Sequence, residues 1–425
     1  MTEGLKRGIG PLGAALITFN GIVGAGIFML PGLVHQAFGP FGPWLFPLFG
    51  LIMLLMVLPL AAAAARFDIS GGPAAYVGSA FGPFAGFQAG WLFTLGKLTA
   101  LAANANVFAS YLSGLVPGLS GPVATAVVIL LLVGSLMAAN VAGVKQSMRL
   151  LMLVSVLKVA PLLALAVLAL LMLGGALPPP GPFPPLSEVE ASALILLYAF
   201  VGFESVLVPA GETRDPKRTI PRALLLTLLM TSAFFMLIQF AFLAVDPPLS
   251  EEAPMIAFGA AIAGTAGATA ITLAALCSLA GNLHTNLLST PRILFAMAEQ
   301  KVLPGWFGRV SAAFGTPANA ILAFGAAALL LALTGSFVWL AVVGTVARLV
   351  LFLMVYASLP KLRRDAGEPA LPPLGLSLAL LIATALCLWA ISQTKADAWA
   401  MLAGSVVVGT LLFFLARRGR AATLD

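Results

Sequence analysis

Long apolar runs, separated by short polar or Pro/Gly-rich connections, recur along the whole chain. A helix needs about 20 such residues to cross the hydrocarbon of a bilayer, and counting runs near that length predicts about twelve helices. They fall over residues 11–36, 43–65, 84–115, 123–142, 149–173, 191–211, 223–245, 266–297, 318–334, 336–358, 374–391 and 397–416. Connections are short and leave no room for a water-soluble domain; residues 178–185 (PPPGPFPP) punctuate the entry to the sixth helix. Residues 246–263 begin acidic and Pro-rich and turn small and apolar, which predicts a loop with a short helix lying over the bundle. Residues 66–83 (RFDISGGPAAYVGSAFGP) predict a similar element on the opposite side.

Two of the predicted helices carry a break. The first contains residues 20–26 (NGIVGAG) and the sixth residues 200–205 (FVGFES), each followed a few positions later by Pro31 or Pro209. The breaks lie five helices apart, so they occupy corresponding places in two halves. An odd number of spans per half makes the second half inverted relative to the first. Interrupted helices at matched positions point to a midplane binding site in a carrier built from inverted repeats. The competing explanation is that glycines in membrane helices permit close packing. A broken helix in lipid exposes amides and carbonyls with no partner, costing several kcal/mol per group unless something binds them. The half-helix starting near Gly26 would direct free N–H groups and a positive dipole end at an anion, while carbonyls ending the half-helix near Phe200 suit an ammonium. Together they would receive a zwitterion. Gly24 and Gly26 would let a ligand approach the backbone closely.

Composition strengthens the membrane reading: 61% of the 425 residues are apolar and 9% charged, against about a quarter charged in soluble domains. The net charge of +7 does not mark a nucleic-acid binder, because of where the basic residues sit. With the N-terminus inside, Lys6, Arg7, Arg66, Lys145, Arg149, Arg214, Lys217, Arg218 and Arg222 share one side with Arg292, Lys301, Arg309, Lys361, Arg363, Arg364, Arg417, Arg418 and Arg420. Lys395 falls on the other, beside Glu188, Glu190, Asp246, Glu251, Glu252 and Asp397. That asymmetry predicts cytoplasmic termini in a bacterial-type inner membrane, with some contact to anionic lipid. The first helix reads as an uncleaved anchor. Cys277 and Cys387 lie in separate apolar segments and His35 and His284 are isolated, so neither a disulfide nor a metal site is expected.

These residues also carry a family resemblance. Residues 21–32 (GIVGAGIFMLPG) resemble the first-helix motif of the amino acid–polyamine–organocation (APC) superfamily, and residues 200–222 (FVGFESVLVPAGETRDPKRTIPR) its sixth helix and following loop. Residues 140–149 (NVAGVKQSMR) and 292–304 (RILFAMAEQKVLP) are similar to segments around its fourth-to-fifth and eighth helices. The resemblance implies the five-plus-five inverted-repeat, LeuT-type fold, with halves at about 8–175 and 188–360 and two extra helices at about 372–417. It also implies transport of an amino acid or amine bound on the broken backbones, at Ile22, Gly24, Ala25 and Gly26 on one side and Phe200, Val201, Gly202 and Phe203 on the other. Phe200 and Phe203 are candidate occluding side chains.

Four ionisable groups lie inside apolar spans: Lys97, Lys158, Glu204 and Arg348. Charge at the bilayer centre is costly, so each is a functional candidate. Lys158, on the fifth helix, resembles the lysine that places its ammonium where sodium-dependent relatives hold sodium, with Ser289 and Thr290 as candidate neighbours. That makes the proton the expected coupling ion, with no other cofactor; the alternative is a lysine that snorkels or tethers the fifth helix to the first. Glu204 is either a proton-sensitive gate or a cap for loose backbone groups. Lys97 shares a helix face with Leu101 and Asn104 and could meet a carboxylate or pair with Glu204; a positive charge there argues against a dibasic substrate. Arg348 has no role that transfers. Asn286 stands where some exchangers place an aromatic cap over the substrate, which opens the question of substrate size.

The sequence therefore predicts an all-α secondary transporter of amino acids, proton-coupled, working by alternating access. The alternatives are an amine or polyamine carrier, or an exchanger or exporter without obligatory proton coupling. A channel or intramembrane enzyme is the remote reading, since neither pore rings nor a catalytic cluster is apparent.

Overall fold

A computed structural model describes residues 10–67, 72–143, 148–172, 179–207, 213–250 and 252–421. Over them the chain is all-helical. In chain order the helices are α1 (Pro11–Ile22), α2 (Gly26–Phe38), α3 (Gly42–Ala64), α4 (Gly72–Phe81), α5 (Pro83–Leu115), α6 (Pro122–Val141) and α7 (Met148–Met172). They continue with α8 (Leu186–Tyr198), α9 (Pro216–Val245), α10 (Pro254–Glu299), α11 (Ala318–Thr334), α12 (Phe337–Asp365), α13 (Leu374–Ser392) and α14 (Ala396–Ala421). Helices are what lipid demands, because they satisfy backbone polar groups within the segment. Proline opens α1, α5, α6, α9 and α10, where its missing N–H removes no helical bond. At the start of α12, Ser336 accepts a hydrogen bond from the Trp339 amide at 3.3 Å.

Nine helical stretches among the described residues are long and apolar enough to cross a membrane. Of the twelve spans expected, the first, third and ninth fall outside that set for identifiable reasons. The first is cut short at Ile22 and α11 has 17 residues. The third, α5, is interrupted by Gln88, Thr94, Lys97, Thr99 and Asn104, all buried. Polarity is tolerable there because α5 is the central strut, packed by α4, α10, α11 and α12. Lipid-facing positions lie on the periphery instead: Leu131 on α6, Leu381 on α13 and Leu411 on α14 are exposed. Exposed apolar belts of this kind require a nonaqueous partner.

The short helix expected over residues 246–263 is present as the first arm of α10, separated from the long arm by non-helical backbone at Ala263 and Gly264. The element expected over 66–83 contains α4. The histidines are less isolated than the sequence suggests, since His35 Nε2 lies 3.0 Å from Asp246 Oδ1 and His284 Nδ1 lies 3.4 Å from the Asn140 amide nitrogen. Pro209, expected just after the second break, lies outside the described residues, as does Glu251.

Candidate functional site

The first break is held open by side chains that take over main-chain bonds. Helix α1 ends where Val23 leaves helical geometry (φ −79°, ψ 84°), and the Gly24 amide turns back to the Ile22 carbonyl at 2.9 Å. In a continuous helix the Val23 carbonyl would accept from the amide four residues on, that of Ile27. Here it accepts from Lys158 Nζ at 2.9 Å instead. The Ala25 amide would donate to Gly21, and here it donates to Asn104 Oδ1 at 2.8 Å. An ammonium from α7 and an amide from α5 thus replace two bonds of the ladder. Helix α2 then restarts at Gly26, leaving the Gly26 and Ile27 amides in its first turn, where no preceding carbonyl of the helix reaches. The amides that open α2 without a carbonyl of the helix to reach are therefore those of Gly26 and Ile27, because Gly24 and Ala25 have already spent theirs.

The second break follows Tyr198. Gly202 adopts φ +113°, and a Cβ there would overlap the Gly21 carbonyl, so the two breaks touch backbone to backbone. Only glycine combines that dihedral with that contact. Beyond it, residues Phe203–Leu207 form a 3-10 turn. Glu204 Oε2 accepts the Gly202 amide at 2.9 Å, and Ser205 Oγ donates to the Gly202 carbonyl at 2.8 Å. Glu204 therefore caps loose backbone, one of the two roles open in the sequence. Its other oxygen accepts Arg348 Nε at 2.7 Å, while Arg348 Nη1 donates to the Gly344 carbonyl at 2.9 Å. Gly96 and Gly344 leave the room that the guanidinium fills. Lys97 Nζ lies 3.9 Å from the same Glu204 oxygen and donates to Ser205 Oγ at 2.6 Å. Glu204, Arg348 and Lys97 are all buried.

A third group links the breaks to α10. Asn104 Nδ2 and Asn286 Nδ2 both donate to Asn282 Oδ1, each at 2.8 Å. Asn104 thereby clamps the Ala25 amide with one end of its carboxamide and α10 with the other.

These groups surround a cavity of about 930 Å³, at the upper end of the range for small-molecule sites. It runs from the two breaks along α5 and α10 to α4 and Gln300. Of the residues singled out from sequence, Ile22, Gly24, Ala25, Gly26, Lys97, Val201, Gly202, Asn286 and Ser289 line it. Leu101, Phe200 and Phe203 do not: each is fully buried, with the Phe200 ring beside Phe235 and the Phe203 ring beside Phe352. Lys158 is buried behind the first break, with its ammonium 5.5 Å from the Phe19 ring centroid. Its hydrogen bond goes to α1 rather than to Ser289 or Thr290. Ser289 Oγ donates to the Thr285 carbonyl at 2.8 Å, and the Thr290 hydroxyl is buried without a hydrogen-bond partner among the described residues. Sequence reasoning missed Asn282, Ser205, Tyr198 and Thr285, and did not carry Asn104 from its helix face into the site. The available signals were the i, i+4 spacing of Asn282 to Asn286 and the i, i+7 spacing of Lys97 to Asn104.

Residues 9–415 match the family described as amino acid permease. An uncharacterized transporter of Mycobacterium tuberculosis is 30% identical over 401 residues, covering 92% of this chain and 89% of the relative. The serine/threonine exchanger of Bacillus subtilis is 29% identical over 315 residues, 71% of this chain and 70% of the relative. The D-serine/D-alanine/glycine transporter of Escherichia coli is 26% identical over 327 residues, 73% and 69% respectively. A match of nearly the whole length, on a bundle of apolar helices around a cavity between two broken ones, makes this chain a multi-pass membrane protein of the amino acid permease family, within the APC superfamily of transporters.

Proposed function

We propose that the chain carries amino acids across the inner membrane by alternating access, with both termini cytoplasmic. The observation that carries this reading is the cavity lined by both broken backbones, with unspent amides opening α2 on one side and the Val201–Gly202 backbone on the other. The substrate α-carboxylate takes the Gly26 and Ile27 amides, and its ammonium faces the carbonyls of residues 200–202 in the turn that follows α8. The family relatives named for amino acids support that choice of substrate.

The frame is the five-plus-five inverted repeat, with halves at about 8–175 and 188–360. Among helices five apart in the expected order, α3 packs against α9, α5 against α10 and α6 against α11, and α1 meets the turn after α8. The cavity reaches α4 and the end of α10 near Gln300, the side to which the basic loops are assigned, so this conformation opens inward.

Lys158 is the proton-coupling group. Its ammonium is buried and pinned to the Val23 carbonyl, and a neutral amine would be a weaker donor to it. Loss of the proton loosens α1 from α7, and the proton drives transport only through its different affinity for the two states. A second reading, obligatory exchange without a proton, is favoured by similarity to the serine/threonine exchanger. Uptake of radiolabelled amino acids into liposomes with an imposed pH gradient separates them. Proton coupling predicts gradient-driven accumulation that Lys158→Ala abolishes; full gradient-driven uptake by that variant would overturn it, and uptake only into amino-acid-loaded liposomes supports exchange.

A further inference from the structure

Resting on the amino acid reading above, we infer that the cavity selects substrates with a second carboxylate, that is acidic α-amino acids, through Lys97 backed by Arg348. The argument starts from charge. Among the described residues the cationic side chains lining the cavity are Lys97, Arg348 and Arg292, and no acidic one lines it. The anion behind the wall, Glu204, has already committed its oxygens: one to the Gly202 amide at 2.9 Å and one to Arg348 Nε at 2.7 Å. Lys97 shares that second oxygen at 3.9 Å, beyond hydrogen-bond length, and its close partner is the neutral Ser205 hydroxyl at 2.6 Å. Two buried cations thus face one anion, and the surplus charge sits on the side that opens to the cavity. A buried charge without a full partner is unfavourable, and a ligand carboxylate would relieve it.

That surplus is additional to what a zwitterion uses. The α-carboxylate is met at the opening of α2, which Asn104 holds through Ala25. Lys97 lies on the same face of α5 seven residues earlier, about 10 Å away along the axis at 1.5 Å per residue. The Lys97 side chain leans back toward Phe93, 5.5 Å from its ring, and its ammonium meets Ser205 Oγ, which lies against Gly21 of the first break; the side-chain carboxylate of an acidic amino acid held at α2 would reach toward it. Ser205, which also bonds the Gly202 carbonyl, fixes the ammonium where it can be met. The same charge repels a lysine or arginine substrate.

The test is a binding panel on the purified full-length protein by isothermal titration with L-glutamate, L-aspartate, L-glutamine, L-asparagine and L-lysine. Glutamate or aspartate is expected to bind about tenfold or more tighter than its amide, with lysine weakest. Lys97→Gln should lower acidic affinity by a similar factor and change the amides less than threefold, while Lys97→Arg keeps the acidic preference. Size-exclusion profiles check that each variant folds, and the wild-type panel stands without them. Amides binding as tightly as acids in the wild-type protein overturns this inference while leaving the amino acid reading intact. Binding of no amino acid at all overturns both.

Discussion

Replacing Glu204 by glutamine removes the anion that faces Arg348 and Lys97 while keeping its shape. At an effective dielectric near 20, the Coulomb attraction is about 6 kcal/mol for a pair at the 2.7 Å separation of Arg348 and about 4 kcal/mol at the 3.9 Å of Lys97. These gross terms are opposed by desolvation, so the ordering matters more than the sums. Glu204→Gln loses both attractions and strands two cations, a change that costs about 3–5 kcal/mol when a buried charge loses its partner. Arg348→Met loses the stronger attraction but leaves Lys97 to close on Glu204, and it removes the repulsion between the two cations. Its cost should be less than half as large. The double variant Glu204→Gln/Arg348→Met should be more stable than Glu204→Gln alone, because only Lys97 then remains, and it faces a cavity.

Thermal unfolding of purified protein, followed by size-exclusion retention, reads these differences directly. Glu204→Gln should lower the midpoint by about 3–6 °C, Arg348→Met by clearly less, with partial recovery in the double variant. Equal losses in the two single variants, adding without recovery in the double, would refute the shared-anion reasoning. The four midpoints form a cycle in which coupling appears as departure from additivity.

Three further outcomes are expected. Gly202→Ala, which adds a Cβ at φ +113° against the Gly21 carbonyl, should abolish folded yield or transport, whereas Gly404→Ala, with open space around it, should leave both unchanged. Asn104→Ala frees the Ala25 amide and breaks the link to Asn282, so substrate affinity should fall about tenfold with smaller loss of stability, as measured by titration calorimetry. Glu368, in the connection after α12, is hydrogen-bonded to Arg66 at 2.7 Å and paired with Arg363, which holds its carboxyl below the ordinary carboxylate range. A lowered folded-state pKa means the contact stabilises above roughly pH 4.3 and fades as pH falls through the depressed value. The wild-type protein should therefore exceed Glu368→Gln in midpoint near neutral pH and converge with it in acid.

Much of the architecture was legible in the chain, because lipid leaves the backbone few choices: apolar runs became helices, and the glycines of residues 20–26 and Gly202 within 200–205 mark breaks. Lys158 was legible too, since an ionisable side chain within an apolar run must meet a polar group, and the interrupted helix supplies one. What sequence could not give is the register between distant helices. Asn104 and Asn282 stand 178 residues apart, and Arg348 and Glu204 144 apart; neither pairing leaves a local pattern. Phe200 and Phe203 looked like cavity walls because they flank the break, yet the turn at Gly202 buries both rings against α9 and α12. Of the polar positions of α5, Asn104 holds the Ala25 amide at the first break and Lys97 meets Ser205 at the second.

That last point ties binding to motion. The first break is kept open by Lys158 from α7 and Asn104 from α5, and the second is capped by Glu204, itself anchored by Arg348 from α12. The amides and carbonyls that would receive substrate are free only because those helices supply substitute bonds elsewhere. Displacement of α5, α7 or α12 must therefore change which backbone groups face the cavity. In the proposed cycle, substrate affinity and helix position are coupled through the same hydrogen bonds, so an agent that alters one alters the other to the same degree. A mutation at Asn104 or Lys158 should consequently shift affinity and the balance of inward- and outward-open forms together, and a variant that moved only one of them would break the link.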